Sequence, residues 1–105
     1  MKQIKVHIHN IRTADVIHAL KTGGFKNVYA TEVKAVAKAL DDQEQEYSID
    51  IGEKVIIECK IELFCEAQNV SKAIEIIKGN AQIGLNTTGQ IYVIDVEEAI
   101  PINEL

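Results

Sequence analysis

His7 and His9 are one residue apart in an alternating stretch, so a strand would present both imidazoles on one side, a spacing that can clip a metal ion. Two ligands do not make a site, and a solvated polar face accounts for the pair without one. No residue is assigned to a metal. His18 falls in a helical pattern with no companion. Cys59 and Cys65 lie on one strand-like run, separated by about 20 Å at roughly 3.3 Å per residue, too far to bridge each other. They read as small, reduced core residues. Glu97 and Glu98 are adjacent carboxylates, but the chain has no nucleophile elbow, no HExxH and no Walker-type loop. A catalytic residue is therefore not assigned, and a non-enzyme is expected.

The segment Ala37 to Lys54 carries a different chemistry. Asp41, Asp42, Glu44, Glu46, Asp50 and Glu53 make it acidic, and Tyr47, Ile49 and Ile51 alternate within that frame. A purely solvating loop has no use for such apolar area, and a loop of this length in a small domain is functional or disordered. Docking on a protein partner is the expected use, with Tyr47, Ile49 and Ile51 as anchors and Asp41, Asp42, Glu44 and Glu46 steering the approach. Tyr47 and Ser48 are neighbouring hydroxyls in the same stretch.

The bulk composition bounds what surrounds these residues. A chain of 105 residues has room for one core, and 47% apolar residues with a mean hydropathy near zero exclude a disordered tail. A single domain over residues 1–105 is expected. No apolar run approaches the roughly 20 residues of a membrane span, and no charged, apolar leader opens the chain. A soluble, cytoplasmic protein without direct membrane insertion follows. The net charge of -5, without clustered Lys or Arg, excludes nucleic acid as a partner.

Periodicity supplies the scaffold. Ile4, Val6 and Ile8 alternate with Lys5, His7 and His9 as a strand with one wet face; Asn10 and Thr13 then offer caps to a helix that runs to about Lys21 and stops at Gly23-Gly24. That helix presents Val16, Ile17 and Leu20 on one side. Val28 to Val36 reads as a second strand. From Val55 to Cys65 the alternation returns, with Ile57, Cys59, Ile61, Leu63 and Cys65 opposite Glu58, Lys60, Glu62 and Phe64. Asn69 caps a helix with Val70, Ala73, Ile74 and Ile77 at i, i+3, i+4 and i+7, ended by Gly79-Asn80; Ile91 to Val96 is the last strand. The order βαββαβ predicts an α+β, ferredoxin-like fold, a four-stranded antiparallel sheet with two helices on one face and a long loop between strands 2 and 3. Ile56, Phe64, Tyr92, Ile94 and Val96 fall on the opposite register, so the free sheet face would expose apolar side chains that an oligomer buries.

Gly89 to Ile100, reading Gly-Gln-Ile-Tyr-Val-Ile-Asp-Val-Glu-Glu-Ala-Ile, closely resembles the signature that ends the P-II nitrogen-regulatory proteins. Lys60-Ile61-Glu62-Leu63 resembles that family's central strand, and Thr31-Glu32-Val33-Lys34 the strand entering its regulatory loop. Aligned this way the whole chain fits without a gap. The resemblance implies a homotrimer whose sheets face one another around a threefold axis. It implies a signalling role in nitrogen metabolism, with residues 37–54 as a T-loop-like arm that acts on a target enzyme or transporter. It also makes residues 83–90 a B-loop-like segment in which Gly84, Asn86, Thr87, Thr88, Gly89 and Gln90 hold an adenine nucleotide, ATP, ADP or AMP, as ligand rather than cofactor.

The chain departs from the family's pattern where charge matters most. The lysine after the second glycine is Gln90, the glycine and aspartate before that glycine are Thr87 and Thr88, and the alternating arginines near the end are Pro101 and Asn103. The lysine near the start of the third strand is Glu58. Each loss removes a charge-assisted contact of about 1.5–3 kcal/mol, so ATP should hold no advantage over ADP or AMP. Ala39 replaces the glutamine used for 2-oxoglutarate, and Ile51 replaces the modified tyrosine, so neither feature is expected. A ligand-free trimeric interaction module and a metal-binding trimer of the CutA kind are the alternatives.

Overall fold

The computed structural model describes residues 1–36, 46–82 and 89–103, with only the backbone described at Glu46 and Glu53. Strand β1, Lys2–His9, buries Ile4, Val6 and Ile8 at every second position. Helix α1, Thr13–Thr22, follows a 3₁₀ turn over Asn10–Arg12. The cap is not the expected one. His9 takes the role, its Nδ1 accepting from Ile11 N at 3.3 Å, and no side chain caps the start of α1 itself. At the other end Gly24 N donates to Lys21 O and Phe25 N to Leu20 O, with Gly24 at φ 95°, a left-handed position open to glycine at least cost. Leu20 and Phe25 both enter the core, so the turn that ends the helix also fixes an apolar contact.

Gly23 serves a separate purpose. Its φ is an ordinary -76°, but a Cβ there would stand 2.7 Å from Ile76 Cδ1. Ile76 lies on α2, Val70–Ala81, and Gly23 lets the two helices close up. Helix α2 is longer than its Gly79-Asn80 pair suggested. It continues to Ala81 because Asn80 Nδ2 donates to Ile76 O at 2.8 Å, occupying a carbonyl near the frayed end, while Ala81 packs on the core. Asn69 precedes α2 at the end of a 3₁₀ turn, Ala67–Asn69, without a side-chain cap bond. Ile76, rather than the expected Ile74, joins Val70, Ala73 and Ile77 at the core.

The remaining strands are β2, Val28–Val36; β3, Glu46–Ser48; β4, Glu53–Cys65; and β5, Ile91–Asp95. The sheet runs β2-β4-β1-β5, all antiparallel where strands meet, and β3 also pairs with β4. Among the described residues five strands replace the expected four, and β4 starts two residues before Val55. Gly52 at φ 72° explains both: it turns the chain back, its N donating to Ser48 O at 2.7 Å, so 46–48 meet 53–55 as a hairpin. β5 ends one residue early, although Val96 N still donates to Met1 O at 3.1 Å.

One face of the sheet carries the core. Ile4, Val6, Ile8, Cys59, Ile61, Leu63 and Cys65 meet Val16, Leu20, Ala73 and Ile77 of the two helices. Full burial of each large side chain contributes roughly 1.5–3 kcal/mol. The other face is open at Phe64, Tyr92 and Ile94, as the register predicts. Ile56 departs from that prediction: only 2% exposed, it sits where β4 is flanked by β2 at Ala35 on one side and by the tandem of β3 and β1 on the other.

The Gly23 contact yields a stability cycle. Gly23→Ala should cost up to about 1 kcal/mol, because the Ile76 Cδ1 it meets is the free end of a side chain that can turn aside. In an Ile76→Val background, which lacks Cδ1, the same change should cost less than about 0.5 kcal/mol. Urea denaturation of the four proteins measures the coupling.

Candidate functional site

Of the six residues assigned to the ligand, Gly84, Asn86, Thr87 and Thr88 lie outside the described residues. Gly89 and Gln90 are exposed at the entry to β5. Gly89 adopts φ 155°, and a Cβ there would be 3.8 Å from His7 O, so the segment enters the sheet beside His7 on β1. The charge at this end is mixed. Glu58, where the family pattern has a lysine, is 8% exposed, and its Oε1 lies 3.9 Å from His7 Nδ1. An almost buried carboxylate at this position opposes the binding of an anion near it. Pro101 and Asn103 follow β5 in an exposed tail.

The partner-docking residues fall into two groups. Asp41, Asp42 and Glu44, with Ala39, lie outside the described residues, and Glu46 is described by its backbone in β3. Tyr47, Ile49 and Ile51 are brought together at the β3–β4 hairpin, 64%, 88% and 45% exposed. This end of the presumed loop is an ordered turn. Ser48 organises it: 6% exposed, its Oγ accepts from Ile51 N at 3.4 Å and from Lys34 Nζ at 3.3 Å. Lys34 Nζ also lies 3.9 Å from Asp50 Oδ2. The hydroxyl of Ser48 is thus an internal tie and not an exposed modification site. Sequence reasoning missed Lys34 as the residue that fastens the hairpin to β2, since the two positions are fourteen residues apart and nothing local links them.

The open sheet face forms a third region. Tyr29 and Phe64 meet edge to face, ring centroids 6.4 Å apart at 79°, and Ile94 and Tyr92 lie across β1 from them in the same rows. Tyr29 also escaped the sequence reading, because the alternation of β2 is too weak to assign its faces. Beside these rings Gln3 Nε2 donates to Glu62 Oε2 at 2.7 Å, and Lys60 Nζ stands 3.4 Å from Glu62 Oε1.

The remaining chemistry is structural. His9 spends Nδ1 on Ile11, and among the described residues no three His, Cys, Asp or Glu side chains converge on a metal position. Both cysteines are buried and free. Burial first, and the nearby Glu66 second, push the Cys65 thiol above its ordinary range, so its nucleophilic thiolate is scarce.

No protein-family model matches the chain. Individual proteins do. It is 36% identical over 106 residues to the nitrogen regulatory protein P-II of Rhodospirillum rubrum, covering 97% of this chain and 91% of that protein. Identity is 34% to the nitrogen regulatory protein P-II of Azospirillum brasilense and 32% to that of Porphyra purpurea, with the same coverage of each. An alignment of 106 positions exceeds the 105 residues of the chain, so the gapless fit is replaced by one with gaps.

The hairpin tie gives a local prediction. Ser48→Ala removes the acceptor shared by Lys34 and Ile51, a net loss of about 1 kcal/mol. Hydrogen exchange at the Ile51 and Gly52 amides should quicken roughly fivefold while the amides of β1 stay protected.

Proposed function

The chain belongs to the family of P-II nitrogen regulatory proteins, and on that premise we propose that this signalling protein works as a trimer that senses an adenine nucleotide at clefts between subunits. Gly84, Asn86, Thr87, Thr88, Gly89 and Gln90 hold the ligand, ADP, AMP or ATP. Residues 37–54 carry the signal to a target enzyme or transporter in nitrogen metabolism, with Tyr47, Ile49 and Ile51 as contacts. Its role is regulatory rather than catalytic, and the cytoplasm is its proposed location. No helix among the described residues is long and apolar enough to cross a membrane.

The observation that carries this reading is the open sheet face. Tyr29, Phe64, Tyr92 and Ile94 remain 56%, 38%, 52% and 39% exposed in a single chain, two apolar pairs that flank Gln3, Lys5 and Glu62 on one face. Packing of identical faces covers them. Gly89 enters beside the same face at His7, so a ligand there sits at the margin of the contact between copies. A ligand-free interaction module is the second reading, favoured by one observation: a nearly buried carboxylate at Glu58 in place of a cation.

Light scattering should give a mass near three times 11.6 kDa. A monomer at micromolar concentration overturns the trimer and the intersubunit cleft together.

Calorimetry with ATP, ADP and AMP separates the two readings. The missing cations predict similar affinities for the three, and Gln90→Lys should tighten ATP selectively by roughly tenfold or more. Absence of heat with all three leaves the interaction module; an unchanged ATP affinity in Gln90→Lys places Gln90 away from the phosphates.

A further inference from the structure

The open sheet face carries two rows in which polar side chains of β1 stand between apolar ones. Phe64, Gln3 and Ile94 share one row, and Tyr29, Glu62, Lys5 and Tyr92 the next. Lys5 is the charge left over. Glu62 Oε2 accepts from Gln3 and its Oε1 lies 3.4 Å from Lys60 Nζ, whereas Lys5 meets no acid among the described residues. We propose that three copies of Lys5 converge on the threefold axis of the assembly and hold a small tetrahedral oxyanion there, of the phosphate or sulfate class. This rests on the reading that three copies pack through this face, and the site is incomplete without the partner copies.

The placement of the apolar groups favours a ring. Tyr29 on β2 and Tyr92 on β5 are three strand spacings apart, about 14 Å, at opposite margins of the sheet. A twofold contact centred on these rows would lay one β1 against the other and shut Lys5 against Lys5 in a dry layer, which like charges oppose. Three copies set as the sides of a triangle avoid that. The half of each sheet bearing Tyr29 and Phe64 then meets the half of the next bearing Tyr92 and Ile94, and the middle of every sheet turns to the axis. A sheet four strands wide measures about 19 Å, so the middles of three such sides stand roughly 5–6 Å from the axis, within reach of an extended lysine side chain.

The charge at the axis selects the ligand. In each copy Lys60 and Glu62 already offset one another, so Lys5 adds one uncompensated positive charge per chain. Ammonium groups brought together without a counter-charge repel one another, and an anion among them removes that cost. A tetrahedral oxyanion has the symmetry of the site: with one of its bonds along the axis, the other three oxygens are equivalent, and each faces one Lys5 in a charge-assisted hydrogen bond. Glu58 stands away from this position. It lies four residues from Glu62 along β4, about 13 Å, nearly buried and engaged within its own chain. The site is also distinct from the nucleotide cleft, because Gly89 and Gln90 precede the edge strand β5, whereas Lys5 lies on a middle strand.

Calorimetry of the full chain with inorganic phosphate, at an ionic strength held constant with chloride, reads the site by its stoichiometry. One ion should bind per three chains, a ratio that equivalent nucleotide clefts, one per chain, do not give. In sedimentation equilibrium, phosphate at ten times its dissociation constant should raise the trimer association constant about tenfold. Lys5→Gln should lose the ion and assemble without phosphate at least as well as wild type does with it. Lys5→Arg should keep the ion, and Lys72→Gln, which removes the same charge from the exposed side of α2, should bind it as wild type does. A trimer that takes no phosphate, takes one ion per chain, or keeps its single ion in Lys5→Gln overturns the axial site and leaves the trimer standing. A monomer with and without phosphate overturns both.

Discussion

Strand β4 is the constraint on which the rest depends. Its thirteen residues, Glu53–Cys65, hold β2 along one side and β1 followed by β3 along the other, so register at one point fixes it everywhere. A slip of one residue would carry Ile61 and Leu63 to the open face and Glu62 into the core. Ile61 and Leu63 are 0% and 1% exposed, and truncating such a side chain to Ala typically costs roughly 2–5 kcal/mol against a total stability of about 5–15. The exposed Lys34–Asp50 pair contributes at most about 1 kcal/mol. Register is therefore set by the buried side chains, and the polar ties only trim the turns.

The same alternation makes two surfaces with different duties. Inward residues meet the helices and are satisfied within one chain. Outward residues are not: Phe64 lies one position beyond the end of β2 in the register, and Tyr92 and Ile94 lie on the edge strand β5. The face that remains is apolar at one end and charged at the other, which gives a partner both a surface to cover and a register in which to cover it.

Strand alternation made the sheet and its open face legible in the sequence, because Ile4, Val6, Ile8, Cys59, Ile61 and Leu63 obey period two without exception. Helix ends were legible only where backbone conformation demands a residue type, as at Gly24. Gly79-Asn80 looked like a stop and was not, since an Asn side chain can turn back onto its own helix as readily as it can end one. The β3 hairpin was missed because its three residues are too few to show a period, and Gly52 alone does not say which strands it joins. At the candidate site, residues adjacent in sequence, such as Gly89 and Gln90, could be nominated from resemblance. Contacts between remote strands, Lys34 to Ser48 or His7 to Glu58, have no local signal and needed the fold.

The sheet order also has a consequence for how the chain is made. β1 is synthesised well before its partners β4 and β5: Lys2 pairs with Cys65 on one side and with Asp95 on the other. At roughly 5–20 residues per second, Cys65, 63 positions after Lys2, takes about 3–13 seconds to follow. For most of that time Ile4, Val6 and Ile8 have no native neighbour across either edge, and the loops that later close are long ones. A strand made before both its partners is the last to be satisfied, and the alternating Lys5, His7 and His9 help to keep that apolar stripe dissolved in the meantime.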